Sequence, residues 1–254
     1  MSTPRTFLIT GAANGIGRAV AEHFANDDAH RLILLDRDLA RLKAWTGANT
    51  FAASIETHKV DIADLAGVQG LFKDLSQRLG YIDVLVNSAG VCHENEPEDL
   101  DNWHKVISVN LNGTFYVTSL CLPLLADRGR IINLASILGR IGKVRNTAYC
   151  ASKHGIIGMT KALALDLAPR QITVNAILPA WIDTPMLQKE LAAQAGIAGM
   201  SQEQILRSAK KKLPLRRFIQ ADEVAAMVRY LASPEASGVT AQSLMIDGAA
   251  GLGM

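Results

Sequence analysis

"TFLITGAANGIGRAVAEHF", residues 6–24, sets a short apolar run, a glycine-rich turn and a helix-period stripe in direct succession. Residues 6–10 are almost continuously apolar, as in a strand covered on both faces of a parallel sheet. Ile16, Val20 and Phe24 then step by four, which puts them on one face of a helix. Between the two, Gly11, Gly15 and Gly17 permit a tight turn. They also let backbone N–H groups at a helix N-terminus approach an anion. A strand, a glycine turn and a helix in that order open a doubly wound α/β fold, and the pyrophosphate of a dinucleotide suits such a turn.

The same alternation continues along the chain. Apolar runs at 31–36, 84–90, 130–136, 172–179 and 243–248, with a shorter one at 58–61, predict six further strands. Leu65, Val68, Phe72, Leu75 and Leu79 mark a helix, and residues 102–125 and 148–167 predict two long, heavily apolar ones. The expectation is a single α/β domain over 1–254, a seven-stranded parallel Rossmann-type sheet flanked by helices. Residues 183–218 form a polar, glycine-interrupted insert before the last strand, of a length usual for lids and binding loops.

Composition narrows the function classes. The 254 residues are 49% hydrophobic and 20% charged with a formal net charge of +2, so a large core is available. That balance argues against a nucleic-acid partner, which needs a clearly basic face. Cys92, Cys121 and Cys150 are scattered and odd in number, which fits a reducing compartment, and no metal-ligand cluster is present. Residues 1–11 carry no secretory leader, and no apolar run reaches the about 18–20 residues of a membrane span. A cytoplasmic globular protein with no membrane partner and no metal is expected.

Asp36 closes the second apolar run, 19 residues after Gly17. A carboxylate there accepts hydrogen bonds from ribose hydroxyls and repels a 2′-phosphate, which favours NAD over NADP. Arg37 next to it argues the reverse, but Asn14 stands in the turn where a basic residue would strengthen the case for NADP.

"NTAYCASKHG", residues 146–155, places Tyr149 and Lys153 one helical turn apart. A phenol with an ordinary pKa near ~10 is about 0.1% ionised at neutral pH, and a neighbouring ammonium favours the phenolate by ~1–3 units. The pair therefore reads as an acid/base and its electrostatic tuner. Ser136, at the end of the run 130–136, is placed to hydrogen-bond a substrate oxygen. Cys150 and His154 read as packing residues.

With these residues in hand, the chain resembles the short-chain dehydrogenase/reductase family. The family's TGxxxGxG pattern appears as Thr10 to Gly17, including Ile16. Its Asp-hydrophobic pair appears as Asp61-Ile62. Its NNAG element appears as Asn87, Ser88, Ala89 and Gly90, with Ser88 a mild departure. The resemblance implies Asn110, Ser136, Tyr149 and Lys153 as the active set, with Asn110 interrupting a helix and holding a water that leads protons to Lys153. It further implies that Tyr149 and Lys153 touch the cofactor, that Pro179 and Ile182 lie beside it, and that Thr184 binds its carboxamide. A homotetramer is also implied, in keeping with the two apolar helices. The chain departs from the family at Pro179-Ala180, usually Pro-Gly, and at Asp247-Gly248-Ala249, usually Asp-Gly-Gly.

The implied reaction interconverts a secondary alcohol and a ketone. His93, Leu138, Asn146, Trp181, Met186 and Lys189 join Ser136 and Tyr149 as expected substrate contacts. Arg140, Lys143 and Arg145 form a cationic loop that admits an anionic substrate, so a hydroxy acid stays open beside a sugar or polyol. Lys189 matches the carboxylate clasp of 3-hydroxybutyrate dehydrogenases, whereas Leu138 and Glu190 do not. A 3-oxoacyl-carrier-protein reductase is the enzymatic alternative. A redox-inactive NAD-binding regulator is the alternative of another class, disfavoured because all four active-set members are present.

Overall fold

Strand β1 (Arg5–Thr10) pairs in parallel with both β2 (His30–Asp36) and β4 (Ile82–Asn87), so chain order reverses at its two edges. In the computed structural model, which describes residues 5–26, 30–94 and 96–252, seven parallel strands follow the order β3-β2-β1-β4-β5-β6-β9. The other members are β3 (Ser54–Lys59), β5 (Leu125–Leu134), β6 (Thr173–Pro179) and β9 (Ser243–Ile246). The crevice at the carboxyl ends of β1 and β4 is where open α/β sheets collect ligands. Residues 1–4 and the last two residues, 253–254, lie outside the described residues.

Both faces of the sheet are covered, which explains the unbroken apolar strands. Phe7, Ile9, Leu32 and Leu34 pack on one face with Val20 and Phe24 of α1 (Gly15–Ala25) and Val224, Val228 and Leu231 of α9 (Ala221–Ala232). Leu8, Ile33 and Leu35 point the other way, with Val68, Phe72 and Leu75 of α3 (Leu65–Arg78), Val117 of α5 (Thr114–Cys121) and Ala164 and Leu167 of α6 (Thr147–Leu167). Each fully buried Leu, Ile or Phe contributes about 1.5–3 kcal/mol, so this burial outweighs the local propensities of the elements.

Three strands differ from the sequence expectation. The third strand is Ser54–Lys59, not 58–61. It is a polar edge strand whose Glu56 pairs with Arg31, Arg78 and His58, so no apolar run marks it. A second, two-stranded parallel pair, β7 (Ile182–Asp183) with β8 (Ile219–Gln220), brackets the insert. Within the insert lie α7 (Pro185–Ala198) and α8 (Gln202–Lys212). Ser201 and Gln204 cap α8 reciprocally. The helix expected over 102–125 is α4 (Leu100–Ile107) and α5 joined by a π-helical turn, Ser108–Gly113, with Asn110 inside it. One further helix, α2 (Leu39–Gly47), follows β2.

Backbone conformation explains two of the glycines and one departure. Gly11 has φ +70°, and a Cβ there would sit 2.7 Å from the Ala89 Cα. A Cβ on Gly17 would collide with the Gly11 carbonyl oxygen, so α1 packs directly on its own turn. At the C-terminal departure, Ala249 has φ 66°, a left-handed conformation that favours glycine. Ala249→Gly is expected to stabilise the fold by about 1 kcal/mol, read as a shift of the denaturant midpoint at unchanged slope.

Candidate active site

The glycine turn and the ends of β2 and β4 build a groove of about 200 Å3. Gly11, Asn14, Gly15, Ile16, Gly17, Asp36, Arg37, Asp61, Ile62, Ala89, Gly90 and Thr184 line it, so most of the expected nucleotide contacts come together. Leu35, Val60, Val91 and Val109 join them unforeseen, as apolar walls that carry no motif. The Thr10 hydroxyl accepts from the Ser88 and Ala89 N–H groups, both at 3.0 Å, and ties the turn to the segment after β4.

These residues fit a dinucleotide. Asn14 is the N-cap of α1 but accepts no hydrogen bond from the first turn through its side chain, and no acidic residue occupies that turn. The helix N-terminus thus keeps its donors and positive end for phosphate oxygens. Asp36 accepts from the Ala13 N–H at 2.9 Å through Oδ2 and from the Asp38 N–H at 2.9 Å through Oδ1. That fixes the carboxylate with lone pairs to spare for ribose hydroxyls.

Asn87 does not line this groove. It is 3% exposed, and its Nδ2 donates to Thr118 Oγ1 and Asn133 Oδ1, both at 2.9 Å. As the last residue of β4 it points between strand and helix, so it braces the core rather than the cofactor groove.

A second cavity, of about 290 Å3, adjoins the groove through Ile16, Thr184 and Met186, which line both. Ser136, Leu138, Asn146, Tyr149, Trp181 and Met186 line it as expected. Pro179 and Ile182, expected beside the cofactor, belong to this cavity instead, and Ala180 adds its methyl there. His93 and Lys189 are not among the lining residues. Burial and then the charges of Lys105, Lys189 and Arg37 hold the His93 imidazole below its ordinary range. Lys189 is exposed, while its neighbour Glu190, together with Cys92, Ile137, Ile141, Gly142, Lys143 and Leu187, faces the cavity.

Tyr149 and Lys153 meet as their spacing predicts, with the Lys153 Nζ 5.6 Å from the Tyr149 ring centroid. The lysine is 5% exposed and donates to the Leu134 carbonyl at 2.7 Å. Burial pulls its ammonium down to about 8. Burial also pushes the Tyr149 phenol above its ordinary range, opposed by a hydrogen bond with Ser136. In the protein alone desolvation is the largest influence on the phenol and acts against the lowering expected from the lysine. Ser136 itself caps a short 3-10 turn, its Oγ accepting from the Leu138 N–H at 3.2 Å.

Asn110 is 1% exposed and lines neither space. Its Oδ1 accepts from the Val91 N–H at 2.8 Å, and its Nδ2 donates to the Val91 carbonyl at 2.9 Å and to Ser152 Oγ at 3.2 Å. Both amide donors are engaged, so the side chain locks the segment after β4 onto α6 beside Lys153. Such a π-helical turn inside a helix commonly marks a functional site.

Residues 11–250 match the family model described as enoyl-(acyl carrier protein) reductase. The chain is 38% identical to the monensin polyketide synthase putative ketoacyl reductase of Streptomyces virginiae, over 98% of each. It is 34% identical to the D-beta-hydroxybutyrate dehydrogenase of Cupriavidus necator, again over 98% of each. Among solved structures, a variant actinorhodin polyketide ketoreductase with NADPH superimposes with a TM-score of 0.89, at 35% identity over 99% of both chains.

Proposed function

The chain belongs to the short-chain dehydrogenase/reductase family, and we propose that it interconverts a neutral secondary alcohol and its ketone with NAD. The observation that carries this reading is Tyr149, set in the wall of a mainly apolar cavity that opens onto a groove ending in Asp36. When bound, NAD supplies the hydride acceptor. The Tyr149 phenolate takes the alcohol proton and the phenol returns it in the reverse direction, Ser136 orients the oxygen, and Lys153 holds positive charge behind the phenol. Asn110 keeps Val91 in place in the wall of the groove.

A neutral substrate follows from where the charges sit. The Lys143 Nζ is 2.6 Å from Glu190, Arg145 Nε is 3.0 Å from Glu96, and the Arg140 guanidinium donates to the Ser243 carbonyl at 3.0 Å. The loop cations expected to draw a carboxylate are thus each engaged. A 3-oxoacyl thioester reductase is the second reading, favoured by the apolar lining of Ile137, Leu138, Ile141, Ile182 and Leu187.

Cofactor choice separates the two. Asp36 predicts at least a tenfold higher kcat/KM with NAD than with NADP, because a 2′-phosphate would approach a fixed carboxylate. Asp36→Ala is expected to shrink that ratio about tenfold or more, and an unchanged ratio would contradict the assignment. We also propose a homotetramer. Leu100, Phe115 and Leu165 are 66%, 49% and 76% exposed on α4, α5 and α6, apolar surface suited to a second copy. No helix among the described residues is long and apolar enough to cross a bilayer.

A further inference from the structure

We propose that Glu190 is a charge gate: by holding Lys143, it makes the substrate cavity reject carboxylates and accept neutral molecules. This rests on the alcohol–ketone reading above. Lys143 is the one ammonium among the lining residues of the cavity and Glu190 the one carboxylate. They approach from different elements, Lys143 from the loop before α6 and Glu190 from α7, and their atoms stand 2.6 Å apart. The Lys143 Nζ also lies 5.7 Å from the Trp181 ring centroid, and Gln194 Nε2 donates to the same Glu190 oxygen at 3.4 Å.

The pair is 32% and 26% exposed, so water screens it only in part. A carboxylate entering the cavity must either take Lys143 from Glu190 or sit beside a second negative charge. Both are unfavourable, whereas an ester, amide or thioester meets a pair that is already neutral. No other described cation lines the cavity: Arg140 and Arg145 are engaged elsewhere, Lys189 lies outside the lining, and Lys153 sits behind Tyr149 donating to the Leu134 carbonyl.

The test measures binding of 3-hydroxyhexanoate and its methyl ester by calorimetry, alongside oxidation of the ester with NAD. Wild-type protein is expected to bind the ester about tenfold or more tightly than the acid. Glu190→Gln, which leaves Lys143 unpaired, is expected to shift that ratio towards the acid by about tenfold or more. The shift should vanish in Lys143→Met/Glu190→Gln, which has no cation to offer, and Lys143→Met alone should still reject the acid. A ratio in Glu190→Gln within about twofold of wild type overturns the gate. So does an equal shift in the double variant, which would mean that the pair merely straps α7 to the loop. If the binding ratios behave as expected but wild-type protein does not oxidise the ester, the gate stands and the alcohol–ketone reading falls.

Discussion

Replacing Tyr149 with Phe is expected to lower kcat/KM for a secondary alcohol by about 10²–10⁴-fold, the range that positioned general acid–base catalysis contributes. No other group around the cavity can take over. Cys92 is a half-buried thiol raised to about 11, Lys143 and Glu190 are committed to each other, and His93 is not among the cavity's lining residues. The variant loses one buried hydroxyl together with its hydrogen bond to Ser136. Folding stability should therefore change by no more than about 1.5 kcal/mol. Cofactor affinity should fall far less than turnover, because the groove is lined by other residues. Turnover that survives the change undiminished would remove Tyr149 from the mechanism.

Lys153→Met is expected to separate activity from stability. Activity should drop by about 10²-fold or more, since the charge behind Tyr149 is lost. Stability at pH 7 should hold or rise, because Lys153 is buried and its ammonium is held down to about 8 from 10.5. The sign follows from proton linkage. Between about 8 and 10.5 the unfolded chain binds more protons at this site than the native one, so wild-type stability gains with rising pH. Below about 8 both states are protonated and the full cost of burying the charge remains. Against this, the variant forfeits the hydrogen bond to the Leu134 carbonyl, about 1 kcal/mol. Thermal melts from pH 7 to 10.5 should show the advantage of Lys153→Met shrinking as pH rises, and a constant difference would contradict the assignment of that shift.

The parts of this protein that sequence reveals are those where chemistry limits the residue choice. Gly11 and Gly17 are legible because a left-handed turn and a helix packed on its own loop exclude side chains. Tyr149 and Lys153 are legible because four residues on a helix guarantee their meeting. β3 escaped because an edge strand held by Glu56 ion pairs needs no apolar run. Asn87 misled because a motif position does not say which way a strand residue points, and here it points into the core. The Lys143–Glu190 pair could not be read at all, since its partners are 47 residues apart and meet only once α7 folds over the cavity. Burial of Tyr149, which decides the direction of its titration, is likewise a property of the packed molecule.

The central claim is direct hydride transfer from a carbinol carbon lying between Tyr149 and the nucleotide groove. It is tested most directly by incubating the protein with NAD and a neutral secondary alcohol deuterated at that carbon, then analysing the reduced cofactor by mass spectrometry. The account predicts one deuterium per reduced cofactor in wild-type protein and almost no reduction in Tyr149→Phe. Reduced cofactor without the label, or equal labelled product from both proteins, would contradict it.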